Sequence, residues 1–303
     1  ATMLAIELID EQNLNFRRTE NLLLRDQARQ IAMGLELLAR QILEKDYEDD
    51  PDKDSLDEAW ASEYSFPFEG GTVTGQLEDF QGRFNLNSLL NDDGSHNDRA
   101  IERFRRLVSI TARDLDGEPV VVDTVVDSVV DWIDADQLPE LSGAEDGIYT
   151  SRNPPYRAAN FWFTTPSELR AVNGVTPELY DRLHGLVSAL PPSGPQSASA
   201  RRININTAKP ELLQALSPDV TEAVASDWIE SRGSQGFESV EEFWKIAAPQ
   251  LQPHTIPDDL EVGSRYFGLS VTVSIGTTRL AMYSLFERSS QGVVTRLRAY
   301  DAD

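Results

Sequence analysis

Residues 131–149 read DWIDADQLPELSGAEDGIY, which crowds Asp131, Asp134, Asp136, Glu140, Glu145 and Asp146 into one short stretch. Like charges gathered so closely repel unless a proton, a cation or bulk water relieves them. Three chemistries fit. Two of the carboxylates could form a glycosidase acid–base pair, although any two among many make a weak signal. Calcium fits better, because it takes six to eight oxygens and closely spaced acids with loop carbonyls supply them. The stretch is not an EF-hand, since it lacks both the Asp-x-Asp-x-Asp-Gly run and the glutamate at the twelfth position. The expected geometry is a helix end that donates Asp131, Asp134 and Asp136, with the loop folding back to bring Glu145 and Asp146. Gly143 and Gly147 would permit the sharp turns. A solvated acidic loop is the third reading, and composition gives it about the same weight as calcium.

Other chemistry is thinly represented. The 303-residue chain has no cysteine, which removes disulfides and thiolate metal sites. His96, His184 and His254 form no His-Glu-x-x-His pair, and there is neither a Gly-x-Ser-x-Gly elbow nor a phosphate loop. With 51 acidic against 27 basic residues, the formal net charge is -24, which repels nucleic acid and anionic lipid. Two helical hairpins look like helix-hairpin-helix DNA-binding units. However, Gly174-Val175-Thr176 lacks the second glycine and LSPDVTEA has none, so both are read as packing units.

The elements around the acidic stretch are legible from periodicity. Leu24, Ala28, Ile31, Ala32, Leu35, Leu38, Ala39 and Ile42 make one stripe of a helix over 20–45, with Arg25, Asp26, Arg29, Gln30, Glu36 and Arg40 on its polar face. The helix is expected to continue upstream to residue 1, and KDYEDDPDKDSLDEAW after it reads as a solvated connector. Residues 72–74 and 76–80 suggest short strands with glycines at the bends. NDRAIERFRRLVSITARDL is a helix candidate, and in VVVDTVVDSVVDWIDAD the valines fit a helical face better than alternation. Thr165-Pro166-Ser167-Glu168 is a capping box, Gly174 a left-handed stop, and Thr176-Pro177-Glu178 a second start. Residues 190–200 have linker composition. FNLNSLL and ININTAKPELL echo each other, and FESVEEFWKI carries a second capping box at Ser239 and Glu242. Phe267, Leu269, Val271, Val273 and Ile275 alternate with small and polar residues, and RLAMYSLFER and VVTRLRAY complete an antiparallel meander. A sheet with one apolar face needs a cover, and the N-terminal helix is the natural one.

No apolar run approaches the ~20 residues that cross a bilayer, and no signal peptide is visible. The chain opens in helical pattern at ATMLAIELIDEQNLNF without methionine, which suggests a fragment of something longer.

In order and content, GRFNLNSLL, the run from Asp131 to Gly174, RRININTAKPELL and the helix RDQARQIAMGLELLARQIL resemble the K-type minor pseudopilins of bacterial type II secretion, the general secretion pathway protein K family. The resemblance implies an α+β, pilin-like fold: a long N-terminal helix on an antiparallel sheet, with a large inserted all-helical domain. It divides the sequence into 1–92 (helix and first strands), 93–200 (inserted helical domain with the acidic loop and linker) and 201–303 (a small helical unit over about 203–250, then the closing strands). It implies a non-enzymatic subunit that caps the pseudopilus tip with I- and J-type minor pseudopilins, contacts other pseudopilins, and assists export of folded proteins across the outer membrane. Such a subunit is periplasmic, does not bind nucleic acid, and is anchored in the inner membrane by an N-terminal segment missing here. Calcium would be held by Asp134, Asp136, Glu145 and Asp146, and by Asp131; Asn153 and Asn160 are further candidates. A helix-hairpin-helix nucleic-acid-binding protein and a carboxylate hydrolase are the rivals.

Overall fold

Helix α1, Thr2–Asp49, is the longest element of the protein. The computed structural model describes all residues except 1, 114, 116–118, 192–199, 252–255, 302 and 303, and omits the side chains of 2–11 and 13. Among the described residues, no helix is long and apolar enough to cross a membrane. The protein forms two units. One comprises Ala1–Asp49, Glu58–Glu78 and Phe267–Asp303, and the other Asp50–Asp57 and Asp79–Tyr266. The expected boundaries after residues 92 and 200 both fall inside the second unit.

In the first unit, α1 covers a five-stranded sheet. Its strands are β1 (Glu63–Phe68), β2 (Gly71–Asp79), β3 (Tyr266–Ile275), β4 (Thr278–Ser289) and β5 (Gly292–Tyr300), lying side by side in that order. β1 pairs antiparallel with β2, and β4 with β5, where a register irregularity falls at Leu285/Phe286. Ala28, Ala32, Leu35, Ala39 and Leu43 of α1 pack on Val73, Leu77, Phe267, Leu269, Val271, Val273 and Phe286. Burying a leucine there contributes about 1.5–3 kcal/mol. The C-terminal meander and its helical cover are as the sequence predicts.

Three details differ. Leu38 is exposed, and Leu43 completes the stripe instead. Residues 71–79 form one strand with Gly75 inside it rather than at a bend; a Cβ there would lie 2.4 Å from Leu35 Cδ2, so the glycine lets α1 approach the sheet. Glu36, expected on the polar face, is 3% exposed. Its carboxylate accepts bonds from Arg298 (Nε and Nη2, both 2.6 Å), Ser284 Oγ (2.9 Å) and Thr295 Oγ1 (2.9 Å). Burial works to raise its pKa, but these bonds and the Arg298 charge hold it below the usual value.

The second unit contains α2 (Asp98–Thr111), α3 (Val122–Ile133), α4 (Asp146–Tyr149), α5 (Pro177–Leu183), α6 (Pro210–Gln214), α7 (Glu222–Arg232) and α8 (Val240–Ala247) around one apolar core. The echoed segments do equivalent work. Phe84–Asn85 pairs in parallel with Val187–Ser188, and Ile203–Asn204 with Leu260–Glu261. Asn85 and Asn204 each accept the amide two residues on. Asn87 clasps both backbone groups of Phe163 (2.8 and 2.9 Å), and Asn206 clasps those of Phe237 (2.7 and 3.0 Å). In each copy the clasped phenylalanine precedes a Thr or Ser cap, and a glutamate reaches back to the intervening amide: Glu168 to Thr164 (2.7 Å) and Glu242 to Glu238 (2.8 Å). The acidic connector is not wholly solvated, because Asp54 is fully buried and accepts the Ser264 amide at 2.6 Å. Most of the expected linker lies outside the described residues.

Candidate metal centre

The valine face of α3 is buried, with Val125, Val126, Val129 and Val130 at most 2% exposed, and this fixes where its C-terminus points. Asp134 ends the helix in extended conformation, its amide still bonded to the Val130 carbonyl (3.0 Å). The backbone then loops to Glu145, which precedes α4 but makes no capping bond with its side chain. Tyr149 of α4 is fully buried, edge-on to Trp132 and stacked on Tyr156, each at 5.3 Å. Its hydroxyl accepts the Asn173 amide (3.2 Å), and burial first of all pushes its pKa up to about 12.

Two acids on α3 fasten the loop. Asp131 Oδ1 accepts the Glu140 amide (2.9 Å) and Asp127 Oδ2 the Ser142 amide (3.0 Å). Gly143 passes so close that a Cβ would sit 1.9 Å from Asp131 Oδ2. Close approach, rather than a left-handed turn, is therefore its role. Gly147 has neither a positive φ nor a crowded neighbour.

Asp134, Asp136 and Glu145 each place a carboxylate oxygen within 4.8 Å of the others. Asp134 is 7% and Glu145 6% exposed, while Asp136 faces solvent. One Asp136 oxygen accepts the Leu138 amide (2.8 Å), and its carbonyl accepts the Asn160 side-chain amide. Asp134 Oδ1, both Glu145 oxygens and Asp131 Oδ2 are buried without a hydrogen-bond partner. Burial, and then the charges of Asp136 and Asp131, push the Asp134 pKa up to about 6. Burial, followed by Asp131, Asp134, Asp136 and Asp146, pushes Glu145 up to about 7. Asp131 is raised too, chiefly by burial.

Of the five sequence-predicted ligands, three thus converge. Asp131 lies behind them as the loop's anchor, with one spare oxygen. Asp146 is turned to the Ala158 amide (3.1 Å) and to Arg157 (3.6 Å). Sequence reading missed Asp127, although its four-residue spacing from Asp131 puts both on one helix face. It also assigned no role to His96, whose Nδ1 lies 3.8 Å from a Glu140 carboxylate oxygen. Orphaned buried carboxylate oxygens are costly without a counter-charge. The donor set is all oxygen, which suits a hard divalent cation and not a soft one.

Comparison with known proteins bears on the full length. Residues 82–192 and 203–260 match two family models, each described as type II secretion system protein K. Type II secretion system protein K of Aeromonas hydrophila is 34% identical over 98% of this chain and 91% of its own length. Its Pseudomonas aeruginosa counterpart is 35% identical over 99% and 88%. A polypeptide in the crystal structure of the GspK-GspI-GspJ complex from the enterotoxigenic Escherichia coli type 2 secretion system superposes with a TM-score of 0.78 at 28% identity, covering 94% of this chain and all of that one. By sequence and fold together, this chain belongs to the type II secretion system protein K family.

Proposed function

We propose that this protein is a minor pseudopilin that joins I- and J-type partners at the pseudopilus tip, on the periplasmic side of the inner membrane, and assists export of folded proteins. The observation that carries this reading is the likeness, over nearly the full length, to a polypeptide solved within the GspK-GspI-GspJ complex. A helix laid on an antiparallel sheet is the first unit's architecture, and such a helix has an outer face left to pack on neighbours. Phe16, Leu22, Leu23 and Leu37 supply apolar surface there, each at least 59% exposed. The helical unit adds bulk to the subunit beyond the helix-and-sheet architecture of the first unit. The role is structural and not enzymatic. Mixing the protein with purified I- and J-type partners should give one co-eluting complex in size-exclusion chromatography; three separate peaks at micromolar concentration would overturn the reading.

The same proposal includes calcium as a stabilising ion. Asp134, Asp136 and Glu145 would hold it, with Asp131 supplying its spare oxygen or fastening the loop. The ion would supply the positive charge that the orphaned oxygens lack, making the 134–149 loop rigid. Asp146 has backbone and arginine partners of its own. The hydrolase rival requires a cleft, and two cavities of the second unit, of about 280 and 440 Å³, are lined by residues other than these acids.

A further inference from the structure

The acidic loop turns inward at Ser142: Leu141 is 99% exposed, whereas Ala144 is fully buried and Glu145 6% exposed. Asp127 Oδ2 holds that turn by accepting the Ser142 amide (3.0 Å). The other oxygen of Asp127 faces α2, where Arg105 Nη2 lies 3.7 Å away. Arg105 offers each of its three nitrogens to a different carboxylate. Its Nε lies 3.4 Å from Glu102, one turn earlier on α2, and its Nη1 donates to Asp123, one turn before Asp127 on α3. Exposure ranks the three partners. The side chains of Glu102 and Asp123 are 59% and 65% exposed, and that of Asp127 only 16%. Exposed pairs are screened by water and contribute little, whereas a shielded pair is screened much less. A polar path therefore runs from α2 through Arg105 and Asp127 to an amide three residues before Glu145. Asp127 is the bridge, with the arginine on one oxygen and the loop on the other.

We propose that Arg105 is a positioning residue for the cation site: it orients the Asp127 carboxylate toward the Ser142 amide, and so sets the place of Ala144 and Glu145. The inference rests on the reading that Asp134, Asp136 and Glu145 hold calcium. Its sign separates it from plain electrostatics. Removing a positive charge beside a cluster of acids makes the site more negative, and as a charge effect alone this tightens a dication. Removing a positioning group loosens the arm that carries Glu145 and weakens the dication instead, as loss of outer partners of metal ligands does.

The test titrates calcium calorimetrically into the protein freed of metal by chelator. Arg105→Gln should bind calcium at least threefold more weakly than the parent, with unchanged circular dichroism. Arg105→Lys keeps the charge but loses the planar fork, and should weaken calcium in the same direction. Asp123→Asn removes an exposed partner of the same arginine and should stay within twofold of the parent. Asp127→Ala should weaken calcium too, and adding Arg105→Gln to it should cost less than a further twofold, because both act through one bond. Hydrogen exchange in chelator gives an ion-free readout: the Ser142 amide should exchange at least tenfold faster in Arg105→Gln. A parent that binds no calcium at millimolar concentration overturns the calcium reading and this inference with it. A parent that binds, beside an Arg105→Gln variant with less than a threefold loss or a tighter grip, overturns the positioning role alone. An unchanged Ser142 exchange rate, or an Asp123→Asn loss as large as that of Arg105→Gln, overturns it as well.

Discussion

Glu145→Gln should change sign with calcium. In the ion-free protein, ionising Glu145 is opposed by burial and by four neighbouring acids, raising its pKa from 4.5 to about 7. That displacement corresponds to about 3 kcal/mol at a pH well above 7. Part of it is repulsion shared with Asp134, and a neutral amide must still satisfy its own polar atoms. The net expectation in chelator at pH 8 is that the variant is more stable by about 1–2 kcal/mol, or roughly 2–8 °C for a domain of this size. With calcium at a hundred times its dissociation constant, the parent gains about 2.7 kcal/mol by mass action. The variant, short of a ligand, gains less than half as much. Differential scanning calorimetry in chelator and in millimolar calcium reads both effects. The reasoning fails if the variant melts below the parent in chelator, or if calcium raises both melting temperatures equally. A merely solvated loop would give no change in either condition.

The pH dependence follows from the same groups. Asp134 at about 6 and Glu145 at about 7 are raised carboxylates, so the native state holds more protons than the unfolded state between pH 4 and 7. Ion-free stability should therefore fall as pH rises through that window, and urea midpoints with chelator should be lower at pH 7.5 than at pH 5. Calcium affinity should run the other way and weaken below pH 7, because protons compete for the ligands. Gly143→Ala would force the Asp131 carboxylate or the loop aside; a loss of about 1–3 kcal/mol and weaker calcium binding are expected, measured by urea titration and calorimetry. Arg298→Met leaves Glu36 buried beneath two hydroxyls with no positive partner, and should destabilise the first unit by about 3 kcal/mol in urea. An equally stable variant would show that Glu36 gains nothing from the pair.

Much of this fold is written in local pattern. The β3 alternation and the valine period of α3 both put their apolar residues inside, although the last turns of α3 are buried on every side. The caps at Thr165 and Ser239 work through neighbours in sequence and are equally plain. What was hidden depends on distant partners. Glu36 looks like any surface glutamate until Arg298, 262 positions away, is brought beside it. Gly75 resembles a turn glycine until α1 lies across it. β1 contains Pro67 and is mostly exposed, so it shows no alternation. At the acidic site, the residue types marked the place, but the spacing did not separate the converging Asp134, Asp136 and Glu145 from Asp131 and Asp146. That separation depends on how Gly143 lets the loop close on α3.

Crystals of the protein grown with calcium, measured at a long X-ray wavelength, give the most direct answer. An anomalous-difference peak bonded to Asp134, Asp136 and Glu145 at about 2.3–2.6 Å is the expected result. A map with no peak there, and with Asp134 and Glu145 still unpartnered at pH 8, would contradict the account.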